Sequence, residues 1–329
     1  MNLFLSLLYK LFAVPQLKKI IDLFPTSLYV AKIMTGLNSS PFVKYVSCSS
    51  CSSIYDPKDC SEITRTGTKQ SKQCNFLHFP NHTQERFRQK CGEFLMKTFS
   101  SMDGNKLFLY PKKIYCYMPL KHSIQNIVNR KDILKKLLDG PKACSIEIMF
   151  DTVDGNFWKD FVDENGERYF SDPRNLGGIL NIDWFEPFEN VQYSRGVIYL
   201  ALLNLPRELR FKWENIIIVG IIPGPKEPKL NVNSYLEPLV NDLLTFWNPG
   251  ELLVENGREV LYRFALCCIS SDFPATRKCC GFVSYNATHG MNMITAISYT
   301  GWSRKNTFGK KVIYCFKSIF SGLALYISI

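Results

Sequence analysis

The hydrophobic pattern changes texture at Gly178. Downstream of it, ILNIDWFEPF reads as a strand, GVIYLALLNLP as a second strand bounded by Gly196 and Pro206, and NIIIVGIIPGP as a third stopped by Pro223 and Pro225. Three strands in succession predict an antiparallel meander. NSYLEPLVNDLLTFW then carries Leu236, Leu239, Val240, Leu243, Leu244 and Trp247 at helical spacing and predicts an amphipathic helix. REVLYRFALCCISSD follows as a fourth strand.

Upstream the pattern is less regular. MNLFLSLLYKLFAVPQLKKIIDLF has an apolar run but no basic leader or small-residue cleavage site, and Pro15 and Lys18 interrupt it, so it reads as an amphipathic helix. Residues 101–170 mix short strands with a helix at NIVNRKDILKKLLD. At the other end, VIYCFKSIFSGLALYISI, residues 312–329, holds one charge, Lys317. A bilayer span needs roughly 20 apolar residues, so this run is borderline as a membrane anchor and equally suits buried strands. The pattern divides the chain into a helical segment at 1–40, a Cys/His region at 41–100, a connecting α+β region at 101–177, a core at 178–290 and an apolar tail at 291–329.

Cysteine usage changes the picture of the second segment. Five of the twelve cysteines fall between Cys48 and Cys91, beside a histidine, which is unlike a small disulfide scaffold and suggests metal in a reducing compartment. The cluster is Cys48 and Cys51 in CSSC, then Cys60, Cys74, His82 and Cys91. Thiolate and imidazole are the ligands a tetrahedral structural Zn²⁺ prefers, and a tight CxxC brings two sulfurs from one turn to one ion. Spacing does not decide which four ligate, and Cys48, Cys51, Cys74 and His82 is the preferred set. The plainer alternative is a group of buried free thiols.

The order β-β-β-α-β, with one acid in the first strand and another at the end of the fourth, is that of a ribonuclease-H-like nucleotidyl-transfer core. The fold class expected is therefore α/β (α+β), a zinc-binding Cys/His region followed by a partial core of that kind. Its acids would be Asp183 and Asp272, since carboxylates on adjacent strands can hold Mg²⁺ or Mn²⁺ ions about 3.5 to 4 Å apart. The plainer reading of either aspartate is a solvated acid at a strand end. With 40 Lys+Arg against 29 Asp+Glu the net charge is +11, which favours polyanions. Trp158, Trp184 and Trp213 read as core anchors, His122 and His289 as surface histidines, and the basic runs at 17–20 and 129–136 as solvated helix faces.

Several blocks in order resemble CACTA (En/Spm)-type DNA transposases: CSSCSSIYDPKDC, KQCNFLHFPNH and RQKC, then DTVDGNFWKDF, LGGILNIDWFEPF, YSRGVIYLALLNLPRELRFKWENIIIVGIIPGPKEP and SSDFPATRKCCGF. The resemblance covers roughly residues 40 to 290. It implies DNA as partner, a nuclear location and a three-carboxylate set in which Asp183 is the first acid and Asp272 the second. From Phe273 to Ile329 there is no Asp or Glu, so the third has no counterpart. Near Gly290 the sequence departs from the family pattern.

The expectation is a transposase-derived DNA-binding protein with an incomplete acidic triad, without cleavage or strand transfer. Two alternatives stay open: an active metal-dependent transposase or nuclease with the third acid supplied elsewhere, and a zinc-stabilised interaction protein tail-anchored in a membrane through 312–329. A homo-oligomer is compatible with each.

Overall fold

The computed structural model describes residues 41–101, 107–141, 150–228, 231–271 and 275. The segment 1–40 expected to be helical, Asp272, His289 and residues 291–329 lie outside the described residues. From Val43 onward the described residues belong to one compact unit.

Its centre is strand β8 (Asn175–Phe185). It runs antiparallel to β9 (Arg195–Leu202), and β9 runs antiparallel to β10 (Ile217–Ile222), which completes the expected meander. Helix α5 (Asn233–Trp247) follows over the residues whose periodicity predicted it. The chain then returns as β12 (Arg258–Ile269), parallel to β8 on the edge that β9 leaves free. A parallel partner cannot be reached by a tight turn and needs a long crossover. Helix α5 supplies it, and its Tyr235, Leu236, Leu239, Leu243 and Phe246 are buried in the same core as Leu176, Leu180 and Ile182 of β8.

Two features of the sheet depart from the sequence reading. Strand β11 (Glu251–Glu255) pairs antiparallel with β12 at the sheet's edge. Its turn is Asn256-Gly257, with φ of 50° and 82°, the Asn-Gly dipeptide that a tight hairpin demands because both central residues take positive φ. The order is thus β-β-β-α-β-β. The sheet also extends beyond β10 to β7 (Lys113–Tyr117), β1 (Val43–Ser47) and β2 (Ile54–Tyr55), giving eight strands in the order β11-β12-β8-β9-β10-β7-β1-β2. One sheet therefore draws on the stretches drawn at 41–100, 101–177 and 178–290. β1 and β7 are too short to stand out by pattern. Two small hairpins stand apart from this sheet, β3 (Ser61–Ile63) with β4 (Lys69–Ser71) and β5 (Met96–Ser100) with β6 (Leu107–Pro111).

The helix expected over 126–139 is two helices, α1 (Leu120–Val128) and α2 (Lys131–Asp139). Arg130 between them is extended, and its guanidinium donates to the Glu214 carbonyl at 2.8 Å, outside either helix. The start of α1 is fixed from α5. The Asp242 carboxylate accepts the Leu120 N–H at 2.8 Å and the Tyr117 hydroxyl at 2.6 Å, an anion where the first turn presents free N–H groups.

Close packing explains the glycine pair in LGGIL. A Cβ on Gly178 would lie 2.3 Å from the Phe264 ring, and one on Gly177 would lie 2.8 Å from Trp158, which sits in the short helix α3 (Asn156–Asp160). Trp158 is stacked on Phe170 at 3.6 Å and covers the first residues of β8. Trp158 is half-buried and meets the core through Phe170, whereas Trp184 packs against the core directly, as the sequence suggested. Trp213 is not an anchor: it is 87% exposed, beside Phe211 at 61%. The reason is the short turn after helix α4 (Arg207–Arg210), which points Arg210 inward in its place.

Arg210 is 3% exposed and makes a bidentate pair with Asp151 at 2.7 and 2.8 Å, while also donating to the Leu203 and Leu205 carbonyls. Burial works against the charge on Asp151, but the guanidinium and the Thr152 N–H outweigh it and hold the carboxyl below its ordinary value. The pair therefore stabilises the fold above the ordinary aspartate range, and that contribution is lost as pH falls through the lowered value. Asp151→Ala leaves a buried cation uncompensated and is expected to cost about 3 kcal/mol. Urea unfolding at pH 7 checks it, and the gap from the parent should narrow as the pH is taken towards 3.

Candidate metal centre and the Asp183 face

Strand β1 leaves the sheet at Ser47 and turns at once. The Ser52 N–H donates to the Cys48 carbonyl and the Cys48 N–H to the Ser53 carbonyl, with Ser52 at φ 66°. This tight turn brings Cys48 and Cys51 to one side. A second turn of chain supplies the other half. Antiparallel bridges Gln73↔Phe94 and Leu77↔Lys90, with Cys74 N–H on the Glu93 carbonyl and Gly92 N–H on the Cys74 carbonyl, set Cys74 beside Cys91.

The four sulfurs all lie within 4.8 Å of one another. Cys51 and Cys74 are 3.4 Å apart and Cys48 and Cys91 are 3.7 Å apart. These spacings are far beyond a disulfide bond. They match a tetrahedron around Zn²⁺, whose Zn–S bonds of about 2.3 Å imply S···S edges of about 3.8 Å. Four cysteines placed so could bind a metal ion.

Cys91 fills the fourth place that the sequence reading gave to His82. His82 instead accepts the Gln84 N–H at its Nδ1 and lies 4.6 Å from the Phe87 ring. Cys60 is buried, but its thiol donates to the Asp56 carbonyl and stands outside the four. Burial, with Asp59 and Asp56, raises that thiol to about 11. The packing around the centre is thin. The buried side chains there are Val46, Cys48, Cys51, Cys60, Cys74 and Leu95, with Tyr55, Phe76, Cys91 and Met96 packed against them in part, a small apolar cluster of the kind that a metal cross-link commonly supplements.

The hydrogen bond with Cys51, then burial, pushes the Cys48 thiol well above its ordinary value, and burial raises Cys74 to about 11. Both are thiols at neutral pH, so a cation must displace their protons and binding weakens as pH falls.

The centre is tied to the core. The buried Ser47 and Tyr235 hydroxyls are 2.7 Å apart, and Asn231 donates to the Ser53 hydroxyl, which in turn accepts from the Cys51 thiol.

Asp183 lies on the opposite side of the sheet from the core residues Leu180 and Ile182, as alternation along β8 requires. It is exposed, paired in register with Val197, and has no ion-pair or hydrogen-bond partner among the described residues. Two residues back on the same face, Asn181 donates to the Ser270 carbonyl, and its Oδ1 is buried without a partner. The Ile182 N–H donates to the Ser271 hydroxyl at 2.8 Å. The chain leaving β12 thus runs beside β8 as far as Ser271, one residue before Asp272.

The family model described as "Transposase family tnp2" matches residues 147–321, more than half of the 329-residue chain. The chain belongs to this transposase family. The matched span contains β8 to β12 and α5, with Asp183 and Asp272 inside it, and leaves the cysteine centre upstream. It also runs past Gly290 to residue 321, so the sequence from 291 to 321, expected to be foreign to the family, falls within the transposase match. Comparison with curated proteins gave no match.

Cobalt(II) titration tests the composition of the centre. One equivalent should bind with thiolate-to-metal charge-transfer absorption, Cys91→Ser should weaken or remove that band, and His82→Ala and Cys60→Ser should keep it. The midpoint should move to higher metal concentration as pH is lowered from 8 to 6.

Proposed function

We propose that the protein is a DNA-binding derivative of a CACTA (En/Spm)-type transposase, with a structural zinc centre and a ribonuclease-H-like core, and that it does not cut or join DNA. The observation that carries this reading is the arrangement of β12 parallel to β8 inside the family-matched span, with Asp183 exposed on one strand and the chain beside it reaching Ser271. Meander, crossover helix and parallel return are the topology by which such a core brings two acids together. The nucleus is the corresponding compartment, where DNA is at hand and thiols stay reduced for zinc. Among the described residues no helix is long and apolar enough to cross a membrane; residues 312–329 lie outside them.

The donor set near Asp183 suits a hard cation, since a carboxylate and the unpartnered Asn181 Oδ1 are oxygen ligands. Asp183 and Asp272 would hold Mg²⁺ or Mn²⁺, whose contribution in such sites is to stabilise the attacking and leaving oxygens of a phosphodiester. Two carboxylates hold such a pair poorly, because too much positive charge remains and too few ligands are fixed. Residues 273–329 contain no Asp or Glu to complete the set.

Incubation with end-labelled DNA tests both parts of the reading. Binding should weaken steeply with salt, as phosphate neutralisation requires, and no cleavage should appear with Mg²⁺ or Mn²⁺. A flat salt response would overturn DNA binding. Cleavage that Asp183→Asn abolishes would overturn the loss of activity.

A further inference from the structure

Residues directly opposite one another in antiparallel strands place their side chains on the same face. The register therefore defines one row across five strands, Lys44, Cys116, Ile221, Val197 and Asp183, all on the face away from α5. At about 4.8 Å per strand the row is roughly 19 Å long. A cleft of about 590 Å³ stands over its middle. The floor is apolar, formed by Ile114, Cys116 and Ile221. One wall comes from the cysteine module and carries Lys97 and Lys112; the other carries Tyr193 and Arg195.

The charge in the cleft is of one sign. Lys97 and Arg195 are exposed and have no carboxylate partner among the described residues. Lys112 is bound to Glu93, whose carboxylate also accepts from Ser49 on the metal turn. The Arg195 guanidinium lies 5.3 Å from the centre of the Tyr193 ring, which keeps it at the rim. Arg195 is the register partner of Phe185, two residues beyond Asp183. Cations on both walls of an open channel, over a floor without charge, fit a chain of phosphates joined by apolar sugars. A compact anion would use only one wall.

We propose that this cleft seats the sugar–phosphate backbone of one DNA strand and directs it along the sheet face to Asp183. The inference rests on the reading of the protein as a DNA-binding transposase derivative. The cysteine centre then has a second consequence: by joining the turn that carries Ser49 to the ribbon that carries Glu93, it sets the position of the wall that carries Lys112.

The test uses the full chain, a fluorescent DNA duplex and anisotropy from 50 to 300 mM salt. Lys97→Ala/Arg195→Ala removes one cation from each wall. Lys135→Ala/Lys136→Ala removes the same charge from the exposed side of α2. Circular dichroism and zinc content verify that both remain folded. The cleft variant should lower the slope of log affinity against log salt by about 2 and weaken binding roughly tenfold. The control should change neither by more than about a quarter of that, and Arg195→Lys, which keeps the charge, should retain most of the slope. Equal effects of the cleft and control pairs, with the parent still binding, would overturn the cleft alone. A parent without salt-dependent binding would overturn the DNA-binding reading, and the cleft with it.

Discussion

The parallel pairing of β12 with β8 is the constraint on which the rest depends. A strand can join a neighbour in parallel only through a connection that leaves the sheet and returns, and here α5 makes that passage across the face where Leu180, Ile182, Leu200 and Ile222 are buried. One face of the sheet is thereby committed to the helices, and alternation along β8 assigns Asp183 to the other. The glycines at 177 and 178 are part of the same solution. They remove side chains from both faces where β8 meets Phe264 on one side and the Trp158–Phe170 stack on the other. The short approach of β12 depends on that removal, and so does the delivery of Ser270 and Ser271 to Asn181 and Ile182.

A second dependence runs across the sheet. β1 ends in the turn that presents Cys48 and Cys51, so any cation held there is attached to the edge of the sheet by backbone hydrogen bonds to β7 and, through Ser47 and Tyr235, to α5. A separate zinc module on a linker would be free to turn against the core. The four-cysteine region instead shares strands with it, although the family match begins only at residue 147. The geometry around the four sulfurs thus bears on the cleft as much as on the local loops, because Ser49 on the turn and Glu93 beside Cys91 together hold Lys112 in its wall.

Much of this was legible in the sequence, for identifiable reasons. The meander, α5 and β12 are long segments with a clear period, bounded by Gly and Pro. The four cysteines were within the six named side chains, but CxxC fixes only two of them. The other pair depends on a ribbon whose bridges join Gln73 to Phe94 and Leu77 to Lys90, and bridge register leaves no trace in ligand spacing. His82 was attractive because imidazole is a good ligand, yet it sits in the loop at the ribbon's far end. β11 is announced by Asn256-Gly257, a dipeptide that marks a tight hairpin. β1 and β7 gave none, since five-residue strands owe their place to partners distant in the chain. Trp213 misled through its size: the neighbour that enters the core is Arg210, and an arginine is buried only when a carboxylate such as Asp151 meets it.

The distribution of acids gives Asp183 its meaning within a chain of net charge +11. Asp151, Asp163 and Glu255 each face an arginine, and Glu93 and Glu251 each face a lysine. These pairs fasten loops to strands, and each carboxylate is neutralised by a neighbour set within 3.0 Å. Asp183 is different. It lies near the end of the molecule's principal strand, on the open face, with a row of apolar residues and Lys44 leading away from it. Without an ion-pair partner among the described residues, such a carboxylate would repel phosphate unless a cation stood between them. On the proposed reading, Asp183 would meet phosphate only through a metal ion, and the cleft would attract DNA without a complete acidic set to act on it.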